Sequence, residues 1–237
     1  MKSNKVLIIV PAYNEEDSIK KTVNQIIHSG YDYIVINDGS TDSTRQILED
    51  NHFHHINLIS NLGIGGAVQT GYKYAYENNY DIAIQFDADG QHDISYIEKL
   101  IEPILKGRAN LVIGSCFIDK SIKNQRSSKI RRFGIHFLSN FIKLFSGKRI
   151  YDPTSGFRAA DRQVIQKFAS NYPQEYPEPV SNFELLKYSS LKIKEVPVKM
   201  NKRTAGKSSI NTRKTIYAAI NVMLSIIIIN LRKVHHD

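Results

Sequence analysis

Five short apolar runs constrain this chain more than any other feature. They occupy residues 5–10, 33–36, 56–60, 82–84 and 111–115, and the stretches between them have helical character. Helices are expected over 15–29, ended by Gly30; over 41–50, with Ser40 as N-cap; over 65–78; and over 94–106, kinked or broken by Pro103. Strands alternating with helices predict an α/β fold with a mostly parallel, doubly wound sheet and helices on both faces. Such a sheet presents ligands at the carboxyl ends of its strands. There the fourth run gives way to FDADGQHD, residues 86–93, placing Asp87 and Asp89 at i and i+2. Two carboxylates in that position suit a hard divalent cation such as Mg²⁺, which takes one or two carboxylates together with substrate phosphates. Asp and Gly also build ordinary turns, so this string by itself admits both readings.

Companion motifs favour the first reading. The first run ends in PAYNEE (11–16), the second in NDGSTDST (37–44), NLGIGGA (61–67) opens a helix, and DPTSGFRA follows at 152–159. In this order the motifs resemble the family 2 glycosyltransferases, inverting enzymes of the GT-A nucleotide-sugar fold. Within them the chain looks most like the dolichyl- and polyprenyl-phosphate sugar transferases. The resemblance extends from about residue 5 to about residue 210.

It implies a nucleotide-sugar donor, UDP- or GDP-linked, and Mg²⁺ or Mn²⁺. Pro11, Tyr13 and Glu15 would wrap the base, with Tyr13 as a stacking face; Asn14 there also suits a helix N-cap. Asp38 resembles the carboxylate that accepts from the base N–H, although Asn37 replaces the first of two acids usual at this point, and Asp38 also suits a turn. Gly65, with Gly63 and Gly66, allows close approach to the ligand or tight packing. Asp87, Ala88 and Asp89 form the diphosphate clamp, and Gln91 resembles a third metal ligand. His92 is expected to support the loop rather than ligate. Arg203 lies in NKRTAGKSS (201–209), which resembles a flexible segment that grips the diphosphate.

The acceptor side carries the choice of mechanism. A sugar hydroxyl needs a base; a lipid phosphate, with a second pKa of about 6, is already anionic. Asp152, Glu178 and Glu184 are the candidate bases, and Arg158 is expected to face an acceptor phosphate. YPEP at 176–179 resembles an acceptor loop often continued by another acid, but Val180 follows. Three functions stay open: transfer to a lipid-linked acceptor, transfer to a saccharide hydroxyl, and a nucleotide-sugar-binding regulatory module without catalysis.

The charge pattern adds a membrane. Residues 120–149 hold nine Lys or Arg and no acid, whereas the remaining 207 residues balance at 23 basic and 23 acidic. Ile130, Phe133, Phe137, Leu138, Phe141, Ile142 and Phe145 recur there near helical spacing, which fits an interfacial basic helix or a core helix with a solvated face. Residues 216–231 form a largely apolar run that as a helix spans roughly 24 Å, short of the ~30 Å hydrocarbon core. The chain therefore divides into a glycosyltransferase domain, 1–210, and a C-terminal helix, 211–237, that lies on a membrane or joins a second copy. Apolar content of 41% excludes a polytopic membrane protein, and the one cysteine, Cys116, excludes a disulfide framework. No nucleic-acid module is recognisable. A start that runs straight into a strand leaves no room for a signal peptide, and the expected location is the cytoplasmic face of a membrane.

Overall fold

In a computed structural model of the protein, residues 4–119, 129–188, 190–201 and 212–231 are described. The five apolar runs and two further segments form a sheet of seven strands in the order β3-β2-β1-β4-β6-β5-β7. In chain order the strands are β1 (Val6–Ala12), β2 (Asp32–Asn37), β3 (His55–Asn57), β4 (Ile82–Gln85), β5 (Leu111–Ser115), β6 (Arg158–Asp161) and β7 (Ile193–Pro197). Every pairing is parallel except those of β6, which runs antiparallel to both β4 and β5. The central strands are buried on both faces, which is why they read as continuous apolar runs rather than alternating ones.

Eight α-helices occur among the described residues: α1 (Ile19–Ser29), α2 (Thr44–Asp50), α3 (Gly63–Glu77), α4 (Ile97–Leu105), α5 (Lys129–Ser146), α6 (Arg162–Ser170), α7 (Pro177–Tyr188) and α8 (Thr212–Leu231). Helices α3 and α6 pack through Val68, Tyr72, Val164, Ile165 and Phe168 on one face of the sheet. Helices α1 and α4 cover the other face with Ile19, Val23, Ile26, Ile97, Leu100 and Ile101. Gly30 caps α1 with φ 75°, as its position predicts. Pro103 sits inside α4, two residues before its end, and a short 3-10 turn, Ile94–Tyr96, precedes that helix.

All four expected helix starts differ: α3 begins at Gly63 rather than 65, and α4 at Ile97 rather than 94, after the 3-10 turn. Helix α1 begins at Ile19 rather than 15, and α2 at Thr44 with Ser43 rather than Ser40 as N-cap. Strand β6 and helices α6 and α7 were not anticipated. The sequence of β6, Arg-Ala-Ala-Asp, has little strand propensity and is held by neighbours on both sides. The start of α6 did carry a signal: the Asp161 carboxylate accepts the Val164 N–H at 3.0 Å, an N-cap ahead of an apolar periodic run.

A third cluster stands apart from the sheet. Leu138 and Ile142 of α5, Val180 and Phe183 of α7, and Val222, Ile226 and Ile229 of α8 bury one another. The opposite side of α8 exposes Ile220, Leu224, Ile228 and Leu231, and α5 exposes Phe133, Phe137 and Leu144. Among the described residues no helix is long and apolar enough to cross a membrane.

Candidate active site

The strand order turns back on itself between β1 and β4, so the crevice of the sheet opens beyond Ala12, Asn37 and Gln85. The loops after β1 and β2 close on each other. Asn14 adopts φ 55°; its Oδ1 accepts the Thr41 N–H at 2.8 Å, and its own N–H donates to Ser40 Oγ at 3.0 Å. The Glu15 N–H donates to Thr44 Oγ1 at 2.8 Å, while Glu15 Oε2 accepts from Ser18 Oγ at 2.8 Å. Asn14 and Ser40, both read as helix caps, thus spend their polar groups bridging two loops.

Pro11 is a second correction, because it is buried in β1 opposite Ile36 rather than lying open to a base. The Ile9 carbonyl accepts from Phe86 on the β4 side, and the Ala12 carbonyl accepts from Asp38 on the β2 side. Alternation puts the Pro11 nitrogen on the β4 side, past the last β1–β4 pair, Ile9 with Gln85, where no ladder donor is needed. Tyr13 is 47% exposed and presents its ring at this edge.

Asp38 is 3% exposed, and its Oδ1 accepts the Leu62 N–H at 2.7 Å. Burial pushes its carboxyl up, and the amides of Leu62 and Gly63 pull it partly back. One of its oxygens therefore anchors the entry to α3. Gly65 serves packing: a Cβ there would collide with the carbonyl oxygens of Pro173 and Gln174, so the close approach is between two segments of this chain.

The loop after β4 is held from behind. The Asp87 N–H donates to His92 Nδ1 at 3.0 Å, which places the imidazole proton on Nε2. His92 stacks on Phe157 with ring centroids 4.6 Å apart, and burial lowers its pKa to about 4 against the opposing pull of Asp89, so it is neutral. Thr22 Oγ1 donates to the Ala88 carbonyl at 2.9 Å, and Asp89 Oδ1 accepts the Gln91 N–H at 3.0 Å. The Asp87 side chain is 35% exposed and Asp89 9%. The Gln91 carbonyl accepts the Asn201 N–H at 2.8 Å, so the chain leading to Arg203 starts beside this loop. Arg203 itself lies outside the described residues, 202–211 being left undescribed.

Carboxylate oxygens at Asp87 and Asp89, with no thiolate beside them, match the preference of Mg²⁺ or Mn²⁺. No group of three or more His, Cys, Asp or Glu able to hold a metal gathers among the described residues. A cation here would draw its remaining ligands from a bound phosphate group and from water.

The 152–159 turn follows α5, leads into β6, and meets both the end of β5 and the Asp87 loop. Asp152 is 5% exposed; its Oδ2 accepts the Cys116 N–H at 3.0 Å, and its own N–H donates to Glu195 Oε1 at 2.8 Å. Arg158 differs from expectation, being fully buried. Its Nε and Nη2 donate to the Ser155 carbonyl at 3.3 and 2.8 Å, and Nη1 donates to Ser181 Oγ at 3.2 Å and Asn182 Oδ1 at 3.5 Å. The guanidinium pins the turn to α7 and offers no open face to an acceptor phosphate. Glu178 is half-buried beside it; loss of solvent pushes its carboxyl up while Arg158 holds it down. Gln85 Nε2 donates to Glu178 Oε1 at 3.3 Å. Gln85, Ser181, Asn182 and Glu195 were missed from sequence, though a Gln closing an apolar run was a usable signal for the first.

The comparisons with known proteins converge on one family. The model described as glycosyl transferase family 2 matches residues 7–169. A UDP-N-acetylglucosamine–dolichyl-phosphate N-acetylglucosaminyltransferase of Methanococcus voltae is 34% identical over 215 residues, covering 82% of this chain and 84% of that one. A polyprenol monophosphomannose synthase of Mycolicibacterium smegmatis is 27% identical over 174 residues, covering 70% of this chain and 64% of that one. In structure, the glucosyl-3-phosphoglycerate synthase of Mycobacterium tuberculosis, in complex with Mn²⁺ and UDP-glucose, superposes with a TM-score of 0.67 at 17% identity, covering 98% of this chain and 81% of that one. The motif order, the sheet with its switch point beside Asp87, and these relatives make the chain a member of glycosyl transferase family 2, a glycosyltransferase of GT-A fold.

Proposed function

We propose that the enzyme moves a sugar from a UDP- or GDP-sugar to the phosphate of a polyprenyl-type lipid, with Mg²⁺ or Mn²⁺ at Asp87 and Asp89. The observation that carries this reading is the position of those two carboxylates in the loop that follows β4, at the switch point between β1 and β4. Tyr13 and Asp38 flank the nucleotide from the β1 and β2 loops, and Asp87 and Asp89 orient the diphosphate. A bound divalent cation supplies charge neutralisation for the leaving diphosphate. The family resemblance assigns the same group to Arg203, which lies outside the described residues.

The acceptor phosphate oxygen forms its bond to the anomeric carbon from the opposite face. The bond to the diphosphate breaks, and its electron pair leaves with the nucleotide. A phosphate with a second pKa of about 6 is anionic at neutral pH, so no base is required. That agrees with Asp152, whose buried carboxylate holds the Cys116 N–H. The relatives that act on dolichyl phosphate and polyprenol support the lipid acceptor. The open apolar faces of α5 and α8 support peripheral contact with the membrane that carries it, on its cytoplasmic side.

The test is transfer of label from UDP-N-acetylglucosamine, UDP-glucose and GDP-mannose, with Mn²⁺ or EDTA, to polyprenyl phosphate, to polyprenol and to free saccharides. Label on polyprenyl phosphate alone, lost in EDTA, is expected. Label on saccharide hydroxyls alone overturns the lipid-phosphate reading.

A further inference from the structure

Gly156 occupies a place that its backbone does not explain. Its φ lies outside the left-handed region, so conformation alone would admit any residue. Space does not. Strand β6 pairs Arg158 with Gln85, which brings Gly156 against the end of β4 and the residues beyond it. A Cβ on Gly156 would stand 3.0 Å from Gln85 Nε2 and 3.2 Å from each carboxylate oxygen of Asp87. Equal distances mean that both carboxylate oxygens, not one, front the glycine.

Gln85 has little room to retreat. It is 1% exposed, and its amide is tied at 3.3 Å to the half-buried Glu178 carboxyl. The Asp87 side chain, 35% exposed and with His92 Nε2 3.5 Å from its Oδ2, has solvent on one side into which it can shift. An added methyl would therefore displace the Asp87 carboxylate by a few tenths of an ångström. Metal–ligand distances hold to about ±0.2 Å.

We propose that Gly156 is a positioning residue whose missing side chain seats the Asp87 carboxylate for a metal-bound diphosphate, with the Gln85–Glu178 pair as the fixed back of that seat. This rests on the reading of Asp87 and Asp89 given above. The turn that leads into β6 thereby sets the geometry of a clamp that belongs to β4.

The experiment is calorimetric titration of UDP and GDP, each in Mn²⁺ and in EDTA, into the full chain, Gly156→Ala and Gly134→Ala, with Mn²⁺ binding followed separately by electron paramagnetic resonance. Gly134 is the control, because a Cβ there meets nothing within 4 Å. Gly156→Ala should weaken nucleotide binding in Mn²⁺ by about 10- to 100-fold, the range for changes to groups that orient metal ligands, and leave binding in EDTA unchanged. Gly134→Ala should match the parent in both. Gln85→Asn, which shortens the back of the seat and keeps Gly156, should give the same metal-specific loss and stands in if Gly156→Ala does not fold. A parent protein whose nucleotide affinity ignores Mn²⁺ removes the metal reading itself, and the seat with it. A parent that depends on Mn²⁺ beside Gly156→Ala or Gln85→Asn variants that bind equally well overturns the seat alone.

Discussion

The carboxyl edge of the sheet and the α5–α7–α8 group are held together in opposite ways. At the edge, short polar side chains close the loops on one another: Asn14 on Thr41, Thr44 on Glu15, Asp38 on Leu62, His92 on Asp87. Hydrogen bonds are directional, so such a region keeps its shape without a ligand and binds with little reordering cost. The helical group is held together mainly by apolar area. Leu138, Ile142, Phe183, Val222 and Ile226 are buried there, while Phe133, Phe137, Leu144, Leu224 and Ile228 face outward. Apolar burial is not directional, and any apolar surface, lipid included, completes it. One end of the molecule is finished by its own side chains, and the other is left open to something apolar.

The comparison breaks first at Arg158. If the guanidinium belongs to the self-satisfied edge, Arg158→Ala strands the Ser155 carbonyl and Asn182 Oδ1 and destabilises by about 2–4 kcal/mol, read from urea unfolding. Full stability with loss of transfer would instead return Arg158 to the acceptor. Next is Gly65→Ala, where overpacking against Pro173 and Gln174 should cost about 1–3 kcal/mol in the same measurement. A variant as stable as the parent would mean that the two segments do not pack as described.

The open face is tested by Ile220→Glu combined with Leu224→Glu and Ile228→Glu. These exposed positions should change stability by no more than about 0.5 kcal/mol each. Sedimentation with anionic vesicles should fall sharply, and nucleotide binding should persist. Unchanged sedimentation would detach this face from the membrane. The smallest effect concerns pH. The Asp38 carboxyl is raised by burial, so the stability linked to it is full below its ordinary value of 3.8 and is lost as pH climbs through the raised folded value. Asp38→Asn keeps an acceptor for Leu62 and should flatten that decline in unfolding free energies measured across the acid range; an unaltered profile would show that Asp38 does not titrate this way.

The strands were legible because burial on both faces leaves an apolar run that turns cannot imitate, and 111–115 was read to the residue. Caps were less legible. Ser40 and Asn14 have the chemistry of an N-cap, and nothing local says that their partners lie across a loop. Strand β6 escaped because its residues are chosen by neighbours on both sides rather than by propensity. Of the candidate site, the motif residues were found, but the groups that hold them were not. Gln85, Glu195 and Ser181 matter only through contacts far away in sequence. Arg158 was misread for the same reason, since a positive charge in a motif looks like a ligand for an anion until burial is known.

The central claim, a nucleotide diphosphate held through a metal at Asp87 and Asp89, is tested most directly by the melting temperature of the full chain and of Asp89→Ala with saturating UDP or GDP, in Mn²⁺ and in EDTA. Ligand at 100 times its dissociation constant contributes about 2.7 kcal/mol. The account predicts a large nucleotide-induced rise in Mn²⁺, a small one in EDTA, and loss of the difference in Asp89→Ala at unchanged unliganded stability. Equal rises in Mn²⁺ and EDTA, or a metal-dependent rise that survives in Asp89→Ala, would contradict it.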